Sequence, residues 1–228
     1  MEYTMNNKEN FSLFTEKIIN EIKETGKRPS LLLHVCCAPC SSYVLEYLSA
    51  YFDITVYFYN PNIDTDAEFR YRADEEKRFI AEMGLSDTVK YTEGKYNRNE
   101  FLEAAQGLES APEGGERCAK CFELRLKKSA VYAKEGGFDY FTTTLSISPL
   151  KNSALLNSIG KRLSEKYGVK YLYSDFKKKN GYKRSVELSR EHKLYRQSYC
   201  GCAFSKAQAI RDGRISKADQ SENDSFSS

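Results

Sequence analysis

The sequence predicts an α/β fold: a mostly parallel sheet with helices on both faces, and a basic helical part at the C-terminal end. Short continuous apolar runs such as Leu31-Leu32-Leu33-His34-Val35 suit strands buried on both sides. Segments with apolar residues three and four apart alternate with those runs, as a covered parallel sheet requires. With 228 residues, 40% of them hydrophobic, the chain can bury one sizeable core.

Residues 8–25 read as an amphipathic helix, with Phe11, Phe14, Ile18 and Ile22 on one side and Gly26 to end it. The strand at 31–35 runs directly into Cys36-Cys37-Ala38-Pro39-Cys40. A helix follows over 43–51, and Pro39 suits a first-turn position. Strand 54–59 ends at Asn60-Pro61-Asn62, a turn signal. A charged helix over 65–83, a weaker strand near 88–91 and a helix near 99–106 come next. Loop 107–116, rich in Gly, Pro and Glu, delivers Cys118 to the start of a long helix that stops at Gly136-Gly137. Strand 139–144, helix 149–166 and strand 170–173 continue the alternation. Loop 174–180, a helix near 182–192, the Cys200-Gly201-Cys202 turn and a short helix complete it. Residues 1–29 are a helical lead-in, 30–212 a single domain carrying all seven cysteines, and 213–228 a polar tail expected to be disordered.

The first ten residues lack the basic start and apolar stretch of a signal peptide. No run approaches the roughly 20 apolar residues that cross a bilayer. The expectation is a cytoplasmic protein with no membrane partner. Reducing cytosol disfavours structural disulfides, so the grouping of seven cysteines into three knots points to metal or redox chemistry. Charge is uneven. Residues 61–120 hold nine Lys and Arg against fourteen Asp and Glu, and residues 171–220 hold twelve against five. The basic part suits a polyanion, or is simply a solvated charged face.

Each knot has its own chemistry. Cys118 and Cys121 share one face of a helix start, where free N–H groups favour thiolate. Cys36, Cys37 and Cys40 are further donors in the first strand–helix turn, at the end of a sheet where ligands bind. Paired CxxC spacing fits zinc, and the same thiols fit an iron–sulfur cluster. In Cys200-Gly201-Cys202 the glycine lets two thiols close a small strained disulfide, the kind that is readily reduced; further metal ligands are the other reading. Tyr195 and Arg196 beside this turn suit RNA bases, with Tyr195 and Tyr199 as core aromatics the other reading, and Lys177 and Lys178 suit phosphates. No glycine-rich phosphate loop follows the first strand, which disfavours an ordinary nucleotide site. His34, inside an apolar strand, reads as a buried hydrogen-bonded residue rather than a base. Arg70 and Arg72 stand near the site or on a helix surface.

These stretches together resemble the cobalamin-independent epoxyqueuosine reductases of tRNA queuosine synthesis. The resemblance is carried by Leu32-Leu33-His34-Val35-Cys36-Cys37-Ala38-Pro39-Cys40, Tyr59-Asn60-Pro61-Asn62-Ile63, the Arg117–Leu126 stretch, Thr142–Pro149, Asp175-Phe176-Lys177-Lys178 and Tyr195-Arg196-Gln197-Ser198-Tyr199-Cys200-Gly201-Cys202. It implies a Rossmann-like fold related to the nucleotide α-hydrolase group. It also implies a 4Fe-4S cluster on Cys36, Cys37, Cys118 and Cys121, and a redox-active Cys200/Cys202 pair. The implied reaction is reductive removal of the epoxide oxygen from epoxyqueuosine at the tRNA wobble position, fed by an external ferredoxin- or flavodoxin-like donor. Cys40 and Asp175 are candidates to hold an additional iron. The rival readings are an iron–sulfur tRNA-thiolating enzyme, which needs an ATP loop after the first strand, and a non-catalytic zinc-stabilised RNA-binding module.

Overall fold

The computed structural model describes residues 9–215. At its centre lies β1 (Ser30–Val35), flanked by β2 (Asp53–Phe58) and β4 (Tyr140–Thr143). β3 (Val89–Glu93) pairs with β2 and β5 (Lys170–Tyr171) with β4, so the order is β3-β2-β1-β4-β5 with every pairing parallel. Helices cover both faces, as a parallel sheet demands.

Alternation along β1 divides the core. Leu31, Leu33 and Val35 pack with Ile54, Val56 and Phe58 on the face served by α1 (Phe11–Thr25), α2 (Ala38–Leu48) and α3 (Asp66–Glu82). Leu32 packs on the other face with Phe141, beneath Phe122 and Leu126 of α5 (Glu116–Glu135) and Leu156 and Ile159 of α6 (Ser153–Tyr167). Each such fully buried side chain contributes about 1.5–3 kcal/mol. Three further helices, α4 (Arg98–Ala105), α7 (Gly181–Glu191) and α8 (Ala203–Arg211), gather at the carboxyl end of the sheet or along α2.

From β1 the chain steps outward through β2 and β3, then returns to place β4 on the other side of β1. The connections after β1 and β4 therefore leave in opposite directions and open a crevice at the strand ends, where open α/β sheets bind ligands. Cys36 follows β1 at that point and Thr144 follows β4.

Two element boundaries differ from the sequence reading, and both matter. α2 begins at Ala38 rather than near residue 43, because extended Cys37 (φ −176°, ψ 159°) caps it and Pro39 sits in its first turn. The Cys40 and Ser41 amides donate to the Cys37 carbonyl at 3.0 and 3.1 Å, so Cys40 is helical. The helix expected from 149 begins only at Ser153, where the Asn152 side chain accepts from the Leu155 amide. Before it come a 3-10 helix over Thr144–Ile147 and a turn over residues 148–152. Of the tail expected to be disordered, 216–228 lie outside the described residues, as does residue 8 of the first helix. Among the described residues no helix is long and apolar enough to cross a membrane.

α7 docks on α2 through an Arg184–Glu46 pair (Nη2–Oε1 2.7 Å) and a close approach at Gly181. A Cβ there would stand 2.0 Å from the Phe176 carbonyl oxygen and 2.5 Å from the Tyr43 ring. Gly181→Ala is expected to cost about 1–3 kcal/mol, measured by urea denaturation; a loss below about 0.5 kcal/mol would mean that α7 docks otherwise.

Candidate metal and redox site

The end of β1 and the first turn of α2 place three thiols together. The Cys36, Cys37 and Cys40 sulfurs all lie within 4.8 Å of one another, with Cys36 Sγ 3.8 Å from Cys37 Sγ and 3.7 Å from Thr144 Oγ1. Three converging thiols can hold a metal. Cys36 is the most acidic of the group. The thiols of Cys37 and Cys40 hydrogen-bond to its sulfur and hold it well below the usual thiol range, with Lys151 and Arg125 assisting against burial. The same sharing pushes Cys37 up and Cys40 to about 12. Metal binding here would release the two retained protons.

These thiols open into a cavity of 340 Å³ that Cys118 and Cys200 also line, so five of the seven cysteines share it. Cys118 stands in the first turn of α5 and its sulfur accepts from the Gly114 amide at 3.2 Å. Buried Arg117 secures the loop before it by donating to the carbonyls of Leu108, Glu109 and Ala111. Cys121 and Cys202 are buried together in a small apolar cluster with Phe101 and Ala105. Burial pushes Cys121 to about 12 although Arg125 opposes it, and burial with the charge of Cys200 raises Cys202. All seven cysteines are free thiols.

The Cys200-Gly201-Cys202 turn is held by the turn that follows β2. The Asp64 amide donates to the Gly201 carbonyl at 3.0 Å, and Asn62 Nδ2 reaches the Cys200 carbonyl at 3.5 Å. Gly201 has φ +106°, and a Cβ there would lie 2.9 Å from Arg72 Nη1, so only glycine suits it. Arg72 is buried, paired with Glu68 at 2.6 Å, and its guanidinium carbon stands 5.7 Å from the Tyr199 ring centre. Upstream, the Tyr195 amide donates to Glu75 Oε1 at 2.7 Å, tying residues 194–200 to α3.

Cations face the thiols. Arg125, 1% exposed, donates from Nη2 to Asn60 Oδ1 at 2.5 Å and from Nε to His34 Nε2 at 3.3 Å, while Nη1 has no partner among the described residues. Burial and then Arg125 lower His34 to about 3, so it stays neutral. Lys151 is half-buried in the cavity wall; burial opposes its charge, but the thiols of Cys200, Cys36 and Cys40 hold it above the ordinary lysine value. Beneath the cysteine turn Glu76 is wholly buried. Its Oε2 accepts from Ser41 Oγ at 2.8 Å and its Oε1 has no partner among the described residues. Burial pushes it up to about 8, with the Ser41 bond opposing and Cys36 adding.

Of the residues singled out in the sequence, Cys36, Cys37, Cys40, Cys118, Cys200, Arg196 and Arg72 line one cavity. Tyr195 lies in the segment beside it, edge-on to Tyr71 at 5.0 Å. Asp175, Lys177 and Lys178 are not among its lining residues. Asp175 pairs with Lys177 at 2.5 Å and, with Lys178, lines two other cavities near α1. Arg70 is exposed and paired with Asp66, and His34 is the buried, bonded residue expected. Arg125, Glu113 and Lys151 do not stand out in the sequence. Arg125 falls one turn beyond Cys121 on α5, the one signal that could have found it.

The chain matches the model of the family described as Epoxyqueuosine reductase QueH over residues 31–208. It is similar to the Epoxyqueuosine reductase QueH of Streptococcus pyogenes serotype M1, with 44% identity over 97% of this chain and 90% of that protein. It is also similar to that of Staphylococcus epidermidis, with 45% identity over 87% of this chain and 85% of that protein. Among solved structures, the U34-tRNA thiolase NcsA from Methanococcus maripaludis with its 4Fe-4S cluster aligns at TM-score 0.49 and 16% identity, over 95% of this chain and 77% of that one. That likeness is too distant to carry an argument.

Two outcomes follow from the buried charges. Arg125→Met leaves Asn60 Oδ1 buried without its donor and is expected to destabilise the metal-free protein by about 2–3 kcal/mol in urea denaturation; a change under about 1 kcal/mol would show that the guanidinium is not structural. Folded Glu76 keeps a proton that the unfolded chain releases above about 4.5, so its contribution to stability is lost as pH rises from there to about 8. Glu76→Gln should therefore match the parent near pH 5 and exceed its stability near pH 8. Parallel stability–pH curves for the two proteins would refute the assignment.

Proposed function

The chain belongs to the epoxyqueuosine reductase QueH family, and we propose that it acts on epoxyqueuosine at the wobble position of tRNA. It is an oxidoreductase. The reaction removes the epoxide oxygen, takes up two electrons and two protons, and leaves queuosine and water. One observation carries the reading to chemistry: five thiols and the cations Arg72, Lys151 and Arg196 line one cavity at the strand ends of β1 and β4.

A 4Fe-4S cluster suits this donor set. Its ligands are cysteine thiolates, and with four of them it is an anion that buried cations must balance. Cys36, Cys37, Cys118 and Cys121 would hold it, with Arg125 beside both Cys36 and Cys121. When bound, it would supply electrons singly. Cys40 is then a fifth thiol at the same place. Asp175 lines other cavities, which leaves a second iron on Cys40 and Asp175 without a supporting contact.

The chain's own residues account for the remaining steps. Cys200 reaches the cavity while Cys202 is buried behind it, and Ser205 bonds both ends of the turn, its Oγ accepting from the Cys200 amide at 3.2 Å and its amide donating to Cys202 Sγ at 3.3 Å. Such a dithiol can give two electrons together and close to a strained, easily reduced disulfide. An external reductant of ferredoxin or flavodoxin type then restores it. At the mouth, the Arg196 guanidinium stands 5.8 Å from the Tyr182 ring centre, a pair suited to stack a base. The cytoplasm, where tRNA is modified, is the matching location.

Anaerobic incubation of iron-reconstituted protein with epoxyqueuosine-containing tRNA and a reductant is expected to yield queuosine, read by nucleoside mass spectrometry. Cys200→Ser and Cys202→Ser should each abolish turnover while iron content stays at the parent level. No queuosine from the parent protein with a competent reductant would sink the proposal.

A further inference from the structure

Breaking an epoxide C–O bond leaves an oxygen with alkoxide character, and such oxygens are strongly basic, their conjugate acids being about as weak as water. A fixed proton donor beside that oxygen is the usual device. Few groups in the cavity can serve. Arg72 and Arg196 do not give up protons. The Glu113 carboxylate pairs with Arg214 at 3.1 Å and is an acceptor. Tyr199 is packed against the Arg72 guanidinium, and Tyr182 stands at the exposed rim. Cys36, Cys37 and Cys118 are needed as ligands, and the Cys40 thiol is engaged with the Cys36 sulfur.

Lys151 remains. Its ammonium lines the cavity with Cys200 and has no hydrogen-bond or ion-pair partner among the described residues. Its backbone is fixed. The Lys151 amide donates to the Ser148 carbonyl at 3.1 Å, the Leu150 amide to Ser148 Oγ at 3.3 Å, and Asn152 caps α6 immediately after. A lone ammonium on a rigid turn, lining the same cavity as Cys200, is placed to act on substrate rather than to hold the fold.

Resting on the epoxyqueuosine reductase reading, we propose that Lys151 donates the proton to the departing epoxide oxygen. Both C–O bonds of the epoxide break and a C=C bond forms. The two electrons come from the Cys200 and Cys202 thiols, which join as a disulfide. One proton passes to oxygen from Lys151, which recovers it from one thiol, and the other thiol supplies the second. The products are the alkene, water and the disulfide, which the external reductant reopens.

The test compares pre-reduced, iron-reconstituted parent protein with Lys151→Ala, Lys151→Met and Lys151→Arg in anaerobic single turnovers on epoxyqueuosine-containing tRNA. Each variant should lose about 10²–10⁴-fold in rate with iron content and tRNA affinity unchanged. Lys151→Arg should be as slow as the others because a guanidinium holds its proton. Added methylamine should restore part of the Lys151→Ala rate in proportion to its concentration. The proposal falls if a variant keeps the parent rate within about threefold, if Lys151→Arg restores it, if methylamine does not rescue, or if lost iron or lost tRNA affinity accounts for the deficit. A parent protein that forms no queuosine fails earlier, and overturns the family reaction along with Lys151.

Discussion

A single buried guanidinium ties the sheet to the site. Arg125 on α5 donates to Asn60 after β2 and to His34 on β1; Asn60 donates to the Val35 carbonyl at the end of β1, and His34 bonds Thr143 at the end of β4. Three strand ends and one helix thus meet in one polar network under the cysteines. An uncompensated charge at such depth costs several kcal/mol, so each partner is held in place. The positions of Cys36 at the end of β1 and Cys118 and Cys121 on α5 follow from it.

Above this network the site is a balance of opposite charges. Thiolate is costly to bury, and Cys36 is the sulfur eased toward it, because two thiols donate to it and two cations stand near. Without the cations the cavity would favour neutral thiols, poor ligands and poor nucleophiles. The third knot has an anchor of its own. The turn after β2 grips the Cys200 and Gly201 carbonyls, so this turn is anchored by its own hydrogen bonds from Asn62 and Asp64.

Much of this was legible in the chain. Apolar runs and helical spacing mark the strands and helices because burial on two faces leaves a strong period, and the cysteine knots stand out because thiols are rarely grouped without purpose. The start of α6 was not, and it hid Lys151. Apolar spacing through Leu150 and Leu155 continues across the boundary, while the Asn152 cap, a local hydrogen bond, ends the turn. Arg125 reads as one more surface charge of a basic helix until the sheet closes over it.

The sequence by itself determined the parallel α/β architecture, the separation of the cysteines into three knots, and the family, since these depend on residue type and spacing along the chain. Tertiary structure alone decided that Cys40 joins Cys36 and Cys37, that Cys121 packs with Cys202, that Asp175, Lys177 and Lys178 lie off the cavity, and that Lys151 and Cys200 line it together. Those relations join residues from about 50 to 160 positions apart or hang on the first turn of one helix. They arise where α2, α5 and the loops converge at the strand ends, and spacing along a chain holds no record of that convergence.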